Sequence, residues 1–171
     1  MTAAPQDQPL PDLLGLPGRP LTVEELVGVV QALAEREELW RPFVEHDPAE
    51  RRYASLYSDQ HLGVWVICWM PGHDTGFHDH DGSNGAVAVT EGTIRHERPT
   101  LGPSPLRIEA SAGTAFGFDG SELHRMVDAS DQPTVTIHAY SPPLRSMGMY
   151  RVDEDGVVRR RSVGWDEHLD A

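Results

Sequence analysis

The most constraining feature of this sequence is a long series of short apolar segments with the pattern of β-strands. The segments are separated by Gly, Pro, Asp and Ser, which favour turns. They span 62–70, 85–91, 93–98, 106–110, 123–127, 134–141, 149–152 and 157–163. Regular short strands between turns are typical of a closed or sandwiched all-β fold. We therefore predict a small all-β barrel.

The N-terminal segment has a different pattern. Residues 1–20 contain five prolines and two glycines, which interrupt regular structure, so we predict an extended arm there. Thr22-Val23-Glu24-Glu25 is a capping box, and apolar residues then recur at helical spacing as far as Leu39-Trp40. We expect one or two N-terminal helices on a single domain that spans residues 21–171.

Charge and composition argue against several kinds of partner. The formal net charge is −13 at pH 7, and the dense basic run is Arg159-Arg160-Arg161, which we interpret as a solvated strand face. Nucleic acids and anionic membranes bind clustered Lys and Arg, so we expect neither as a partner. No apolar stretch has the length of a signal or membrane-spanning segment, and Cys68 is the single cysteine. We expect a cytoplasmic protein that is a monomer or a small homo-oligomer.

Three histidines have the spacing of a metal site. His78 and His80 flank Asp79, and alternate residues of a strand point to the same side, so both imidazoles can hold one ion. His124 follows a stretch from Gly113 that has the pattern of a strand, a tight turn and the start of another strand. Three neutral imidazoles leave open positions on a divalent ion and favour an anionic substrate, including one that chelates the ion.

The first histidine motif resembles that of the cupin superfamily. Gly72, His78, His80 and Gly92 have the register of Gly, five residues, His-x-His, three or four residues, Glu, six residues, Gly. Gly85 stands where most cupins carry a metal-binding Glu. Among cupins, that substitution resembles the thiol dioxygenases, of which cysteine dioxygenase is the best known. The resemblance implies a cupin-type, jelly-roll-like β-barrel.

The second cupin motif is present in altered form. Gly113 and His124 match it, whereas Asp119 and Ser121 replace its usual Pro and Gly. The resemblance implies that the three histidines together hold Fe(II).

A further motif lies in Thr134–Pro143. Thr136, His138 and Tyr140 alternate, so on a strand they form a row on one face. The row is similar to the Ser-x-His-x-Tyr of the cysteine dioxygenase family, which also precedes Ser-Pro-Pro. In that family the hydroxyl orients the histidine, which hydrogen-bonds the tyrosine beside the iron. The resemblance implies catalytic roles for these three residues, and it extends over roughly residues 53–150.

Two positions differ from the animal cysteine dioxygenases. Gly85 replaces a cysteine that crosslinks to the active-site tyrosine in those enzymes, so Tyr140 cannot form that thioether here. Those enzymes also bind the substrate carboxylate with an arginine two residues after a tyrosine; with Tyr53 as that tyrosine, the arginine position is Ser55. A serine cannot form a bidentate pair with a carboxylate. Three nearby arginines are possible substitutes, namely Arg51, Arg52 and Arg145. Our candidate substrate-binding residues are Tyr53, Arg51, Ser55 and Trp69.

The resemblance implies a mononuclear non-haem Fe(II) dioxygenase that oxidises a small thiol to its sulfinic acid with O2. L-Cysteine is the first candidate substrate, followed by 3-mercaptopropionate or another thiol acid. Two alternatives are a cupin isomerase or dioxygenase with Zn, Ni or Mn acting on an enolic substrate, and a metal-dependent sensor. Neither needs the Thr136 to Tyr140 row. We interpret the remaining histidines as surface residues or as hydrogen-bonded core residues: His46, His61, His73, His96 and His168.

Overall fold

The computed structural model describes residues 10–102 and 104–164. Three short α-helices come first, and a 3₁₀ turn at Arg41–Phe43 follows them. Their bounds are α1 Leu10–Leu14, α2 Val23–Ala34 and α3 Glu37–Trp40. The all-β prediction is confirmed by the eleven strands that follow in the described chain. Their bounds are β1 Arg52–Ser58, β2 Gly63–Trp69, β3 Phe77–Asp79, β4 Asn84–Glu91, β5 Thr93–Arg98, β6 Leu106–Ser111, β7 Ala115–Phe118, β8 Arg125–Asp128, β9 Thr134–Ser141, β10 Ser146–Val152 and β11 Val158–Gly164.

The helical segment differs from its prediction in two places. The Thr22 capping box is present, since the hydroxyl accepts from the Glu25 amide and the Glu25 carboxylate accepts from the Thr22 amide. The helix then ends at Ala34 instead of continuing to Trp40, because the chain turns at Arg36 before α3 begins. The predicted extended arm is helical at α1, where Leu10 is buried in the core. Residues 1–9 and 165–171 lie outside the described chain.

The central layer is a five-stranded sheet in the order β1-β2-β9-β4-β7. Helix α2 packs on its outer face, and both faces of β9 are therefore buried. Val135, Ile137 and Ala139 belong to the core shared with the helix. The alternate residues of β9, which include His138 and Tyr140, point to the barrel interior.

Two three-stranded sheets complete the barrel, in the orders β11-β10-β3 and β6-β5-β8. They are joined where His78 and His124 form an antiparallel bridge. The amide of each of these residues donates to the carbonyl of the other, at 2.8 and 3.0 Å. Two segments 46 residues apart in the chain are thereby held side by side inside the barrel, and both carry predicted metal ligands.

Candidate metal centre and active-site pocket

The three predicted metal ligands meet at one point in the barrel. His78, His80 and His124 each offer a ring nitrogen, and these nitrogens all lie within 4.8 Å of one another. The Nε2 atoms of His78 and His124 are 3.1 Å apart. All three side chains are almost completely buried. The backbone bridge between His78 and His124 explains how two distant motifs form one cluster.

The donor set fits a divalent transition metal. Burial lowers the pKa of His78 to about 4 and holds the pKa of His124 well below its usual value, so these rings are neutral at pH 7. A neutral imidazole has a lone pair for a metal, and histidine suits Fe, Zn, Cu and Ni. Within the described residues, this group of three histidines includes no carboxylate. The set therefore leaves coordination positions open for other ligands.

The row on β9 forms a continuous hydrogen-bonded chain beside the histidines. The Thr136 hydroxyl lies 2.8 Å from His138 Nε2, and His138 Nδ1 lies 3.0 Å from the Tyr140 hydroxyl. The Trp69 indole N–H donates to the Thr136 hydroxyl at 2.8 Å. The Tyr140 and His80 rings are 5.3 Å apart, so the row ends next to a ligand of the candidate metal.

Burial also controls the protonation of this row. It lowers the pKa of His138 to about 3 and raises the pKa of Tyr140 above its usual value. At neutral pH the imidazole is uncharged and the phenol keeps its proton. Tyr140 can thus donate a hydrogen bond, whereas His138 holds the phenol in place without adding charge.

A buried pocket lies against His78 and the row. It is lined by Arg51, Trp65, Ile67, Trp69, Thr75, His78, Met126, His138, Tyr140, Leu144 and Met147. Most of these side chains are apolar. Within the described residues, Arg51 is the lining side chain that carries a full charge at neutral pH, since the imidazoles of His78 and His138 are neutral.

Arg51 is held firmly in this pocket. It is 3% exposed, and its Nη1 donates to the Asp74 carbonyl at 2.8 Å. Its guanidinium also lies 5.4 Å from the centre of a Trp69 ring, which is a cation–π distance. The other two arginines considered as anchors lie elsewhere: Arg52 pairs with Asp47, and Arg145 is exposed.

The side chains of Tyr53 and Ser55 lie on the face of the sheet that points toward the pocket, but they do not line it. They pair with Ile67 and Trp65 on β2, and the Tyr53 and Trp65 rings meet edge to face at 6.0 Å. Both residues line a separate groove beside the 3₁₀ turn. Of the four substrate-binding candidates, the structure therefore brings Arg51 and Trp69 to the pocket.

Asp79, between the first two histidines, contacts the C-terminal hairpin. Its carboxylate accepts from both Nε and Nη2 of Arg160 at 2.9 Å and from the Tyr150 hydroxyl at 2.6 Å. The interpretation of Arg159-Arg160-Arg161 as a solvated face is thus incomplete, since Arg160 ties β11 to the metal-motif strand.

His96 is the core histidine of the two alternatives that its sequence context allows, since it is buried on β5 with Nε2 2.8 Å from His124 Nδ1. Its contact with a predicted metal ligand is a feature that sequence reasoning did not find. The alternation of Ile94 and His96 on one predicted strand indicates a shared strand face, and both residues are buried. The sequence contains no indication that this strand face meets His124.

Known proteins resemble this chain over most of its length. The family model of cysteine dioxygenase type I matches residues 16–153. Cysteine dioxygenase type 1 from Bos taurus is 27% identical over 139 residues, and that from Rattus norvegicus is 29% identical over 142 residues. Each alignment covers 74% of this chain and 68% of the relative.

Solved structures support the fold. A protein with a double-stranded β-helix domain from Klebsiella pneumoniae has a TM-score of 0.53 at 15% identity, covering 60% of this chain and 80% of its own. A cupin superfamily protein from Desulfitobacterium hafniense has a TM-score of 0.52 at 8% identity, covering 61% and 89%. The cupin-type fold is confirmed by this likeness.

Among the described helices, none has the length and apolar character needed to cross a membrane.

Proposed function

Because this chain belongs to the cysteine dioxygenase type I family, we propose that it is a mononuclear non-haem Fe(II) thiol dioxygenase. The reaction is RS⁻ + O2 → RSO2⁻, in which both oxygen atoms join the sulfur of a small thiol. One observation carries the proposal: a single pocket is lined by one histidine of the three-histidine cluster, by His138 and Tyr140 of the hydrogen-bonded row, and by the buried Arg51. An isomerase or a sensor has no need of that combination.

The protein residues have distinct roles in this proposal. His78, His80 and His124 would hold the ion. Bound Fe(II) would supply Lewis acidity that favours the thiolate form of the substrate and coordination positions for the thiolate and O2. The phenol of Tyr140, oriented through His138, would donate a hydrogen bond to the reacting atoms.

Arg51 is the proposed carboxylate anchor in place of the family arginine. Its contacts with the Asp74 carbonyl and Trp69 position the guanidinium before substrate arrives. A buried guanidinium forms a strong charge-assisted pair with a carboxylate. The apolar lining from Trp65, Ile67 and Met126 would exclude water and so strengthen that pair. The substrate is thus proposed to be a thiol that carries a carboxylate.

L-Cysteine is the first substrate candidate because it is the one the family name states. A specific observation favours 3-mercaptopropionate as the second: the described residues that line the pocket include no carboxylate to pair with an ammonium group. A thiol acid without an amino group avoids the cost of burying that charge. Fe(II) as the metal, a cytoplasmic location and a monomer or small homo-oligomer remain predictions.

Metal analysis followed by oxygen uptake tests this proposal. The purified protein should contain about one iron per chain and consume O2 with L-cysteine or 3-mercaptopropionate, forming sulfinate in equal amount. Cysteamine, which lacks a carboxylate, is the matched control and should be a poor substrate. Diketones should give no uptake. Uptake with a diketone but not with thiols would contradict the proposal and favour a different cupin dioxygenase.

A further inference from the structure

His96 has no role in the proposed mechanism, yet it contacts a proposed metal ligand directly. It is 3% exposed, its ring stacks on Phe116 at 4.9 Å, and its Nε2 lies 2.8 Å from Nδ1 of His124. It lies on β5, the middle strand of the β6-β5-β8 sheet, so its backbone is held on both sides. The ring is thus rigidly placed behind His124.

The proton positions follow from the direction in which His124 points. Its Nε2 faces His78 Nε2 at the proposed metal site, and the two nitrogens are 3.1 Å apart. A neutral imidazole that binds a metal through Nε2 carries its proton on Nδ1. That N–H then points at His96 Nε2, which must accept the hydrogen bond. His78 has the equivalent contact to a backbone carbonyl, that of Gly76 at 3.0 Å, whereas His124 depends on a side chain.

Glu122 lies beside this hydrogen bond. Its Oε1 is 3.3 Å from His96 Nε2, 3.6 Å from His124 Nδ1 and 3.2 Å from Nε of Arg98. A carboxylate near the Nδ1 proton of His124 stabilises that proton and makes Nε2 of the same ring a better electron donor to the metal. The Arg98 guanidinium forms an ion pair with the same carboxylate oxygen.

The same three groups, His96, Glu122 and His124, could instead hold a second ion. The distances favour the hydrogen bond. Two nitrogens that bind one ion at about 2.1 Å are roughly 3.0 to 3.4 Å apart for bond angles between octahedral and tetrahedral. The separation between His96 Nε2 and His124 Nδ1 is 2.8 Å, which is a hydrogen-bond length.

We propose that His96 and Glu122 are positioning residues for His124, an inference that rests on the proposed metal site. His96 accepts from Nδ1 of His124 and thereby fixes Nε2 as the atom that faces the metal. The negative charge of Glu122 favours the proton on Nδ1 of His124. Neither residue touches the substrate pocket, so their effect reaches the reaction through the geometry and affinity of the metal site.

The test compares His96→Phe, His96→Gln and Glu122→Gln with the wild type. Phe keeps the ring volume but cannot accept, so the dissociation constant for Co(II) should rise on the order of 10- to 100-fold. Gln can present an oxygen near the position of Nε2, so His96→Gln should recover most of the affinity. Glu122→Gln removes the charge alone and should raise the dissociation constant for Co(II) about three- to tenfold. Competition with a chelator measures each constant.

A matched control and a spectroscopic readout separate positioning from general instability. Val66→Ala removes buried volume in the core next to α2, away from the barrel interior, and should leave the Co(II) constant unchanged while the protein loses stability. In the Zn(II) form with ¹⁵N-labelled histidine, the Nδ1–H signal of His124 should persist in wild type and His96→Gln. It should shift or exchange rapidly in His96→Phe.

The outcomes are distinguishable from those of the proposed function. Co(II) affinity of His96→Phe within about threefold of wild type would overturn the inference, even if the wild type oxidises thiols. A second ion per chain that is lost in His96→Phe would also overturn it and assign a second metal site. A wild type that binds metal but does not oxidise thiols would contradict the proposed function alone. Should His96→Phe fail to fold, an unchanged constant in Glu122→Gln together with an unchanged His124 signal would reject the inference.

Discussion

The ring of Phe118 lies in the space that any side chain at position 85 would need. A Cβ atom built on Gly85 would be 2.0 Å from Cε2 of Phe118, far inside contact distance. The Phe118 ring stacks on His80 at 4.7 Å and meets the His124 ring at 4.5 Å. Gly85 also pairs directly with Tyr140 on β9. In the space where a side chain at position 85 would lie, this chain has a phenylalanine packed against two proposed metal ligands.

Gly85→Ala should therefore be destabilising. Inserting a methyl group against a buried aromatic ring typically lowers the free energy of unfolding by about 1–3 kcal/mol, because the ring has to move. Urea unfolding of the metal-free protein measures the change. Phe118→Leu should relieve much of this cost, so the double variant should lose less than the sum of the two single losses. Gly28→Ala in α2, where a Cβ would have no neighbour within 4 Å, is the control and should be neutral or slightly stabilising.

Turnover should leave the mass of the protein unchanged. With glycine at position 85, no Cys-Tyr bond can form, so intact mass after turnover should equal the sequence mass without loss of two hydrogens. Cys68 is buried, and burial raises the pKa of its thiol to about 11, so it should react with an alkylating agent after denaturation and not before. A mass two units lower after turnover would contradict this prediction.

Alanine at His78, His80 or His124 should remove iron and thiol-dependent oxygen uptake together. Each substitution deletes one of three proposed ligands, and no carboxylate in the cluster can replace it. Metal analysis and an oxygen electrode make the two measurements on the same sample. His61→Ala, outside the barrel interior, should retain both. One ligand variant with wild-type iron and activity would show that the three-histidine site is wrong.

Tyr140→Phe should slow turnover on the order of 100-fold, because it removes the hydroxyl that is proposed to act on the reacting atoms. His138→Gln should give a related loss, since the ring lies 3.0 Å from that hydroxyl. Iron content should stay near the wild-type value in both variants, because neither residue is a proposed ligand. The readouts are kcat and the ratio of sulfinate formed to O2 consumed. An unchanged kcat and ratio in Tyr140→Phe would reject the proposed role.

Arg51→Gln should raise KM for L-cysteine and 3-mercaptopropionate on the order of 10- to 100-fold, since a charge-assisted hydrogen bond to the carboxylate is lost. The weak activity with cysteamine should change little, because that thiol has no carboxylate. Arg52→Gln is the matched control: Arg52 is the next residue in the chain but pairs with Asp47 and Glu50 away from the pocket. An equal rise in KM for all three thiols would indicate damage to the pocket instead of a lost anchor.

Residues that share one strand were placed correctly by sequence pattern. The bounds predicted for β9 are those observed, and its alternation puts Thr136, His138 and Tyr140 in one hydrogen-bonded row. The period of a strand is a local property that neighbouring residues determine by themselves. The three-histidine cluster was also predicted. Its two motifs were joined by resemblance to a family, because the number of residues between two motifs does not give the distance between them in the folded protein.

The tertiary structure decided the contacts between strands that are distant in the chain. His96 reaches His124 because β5 pairs with β8, and Phe118 fills the space at Gly85 because β7 pairs with β4. Arg51 lines the pocket and Ser55 does not, because the backbone before β1 places the Arg51 side chain beside Trp69. Which faces meet depends on strand register and barrel closure, and these follow from burying many side chains at once. The sequence by itself therefore determined most of the strands and, through the family resemblance, the proposed chemistry, whereas packing decided which side chains support that chemistry.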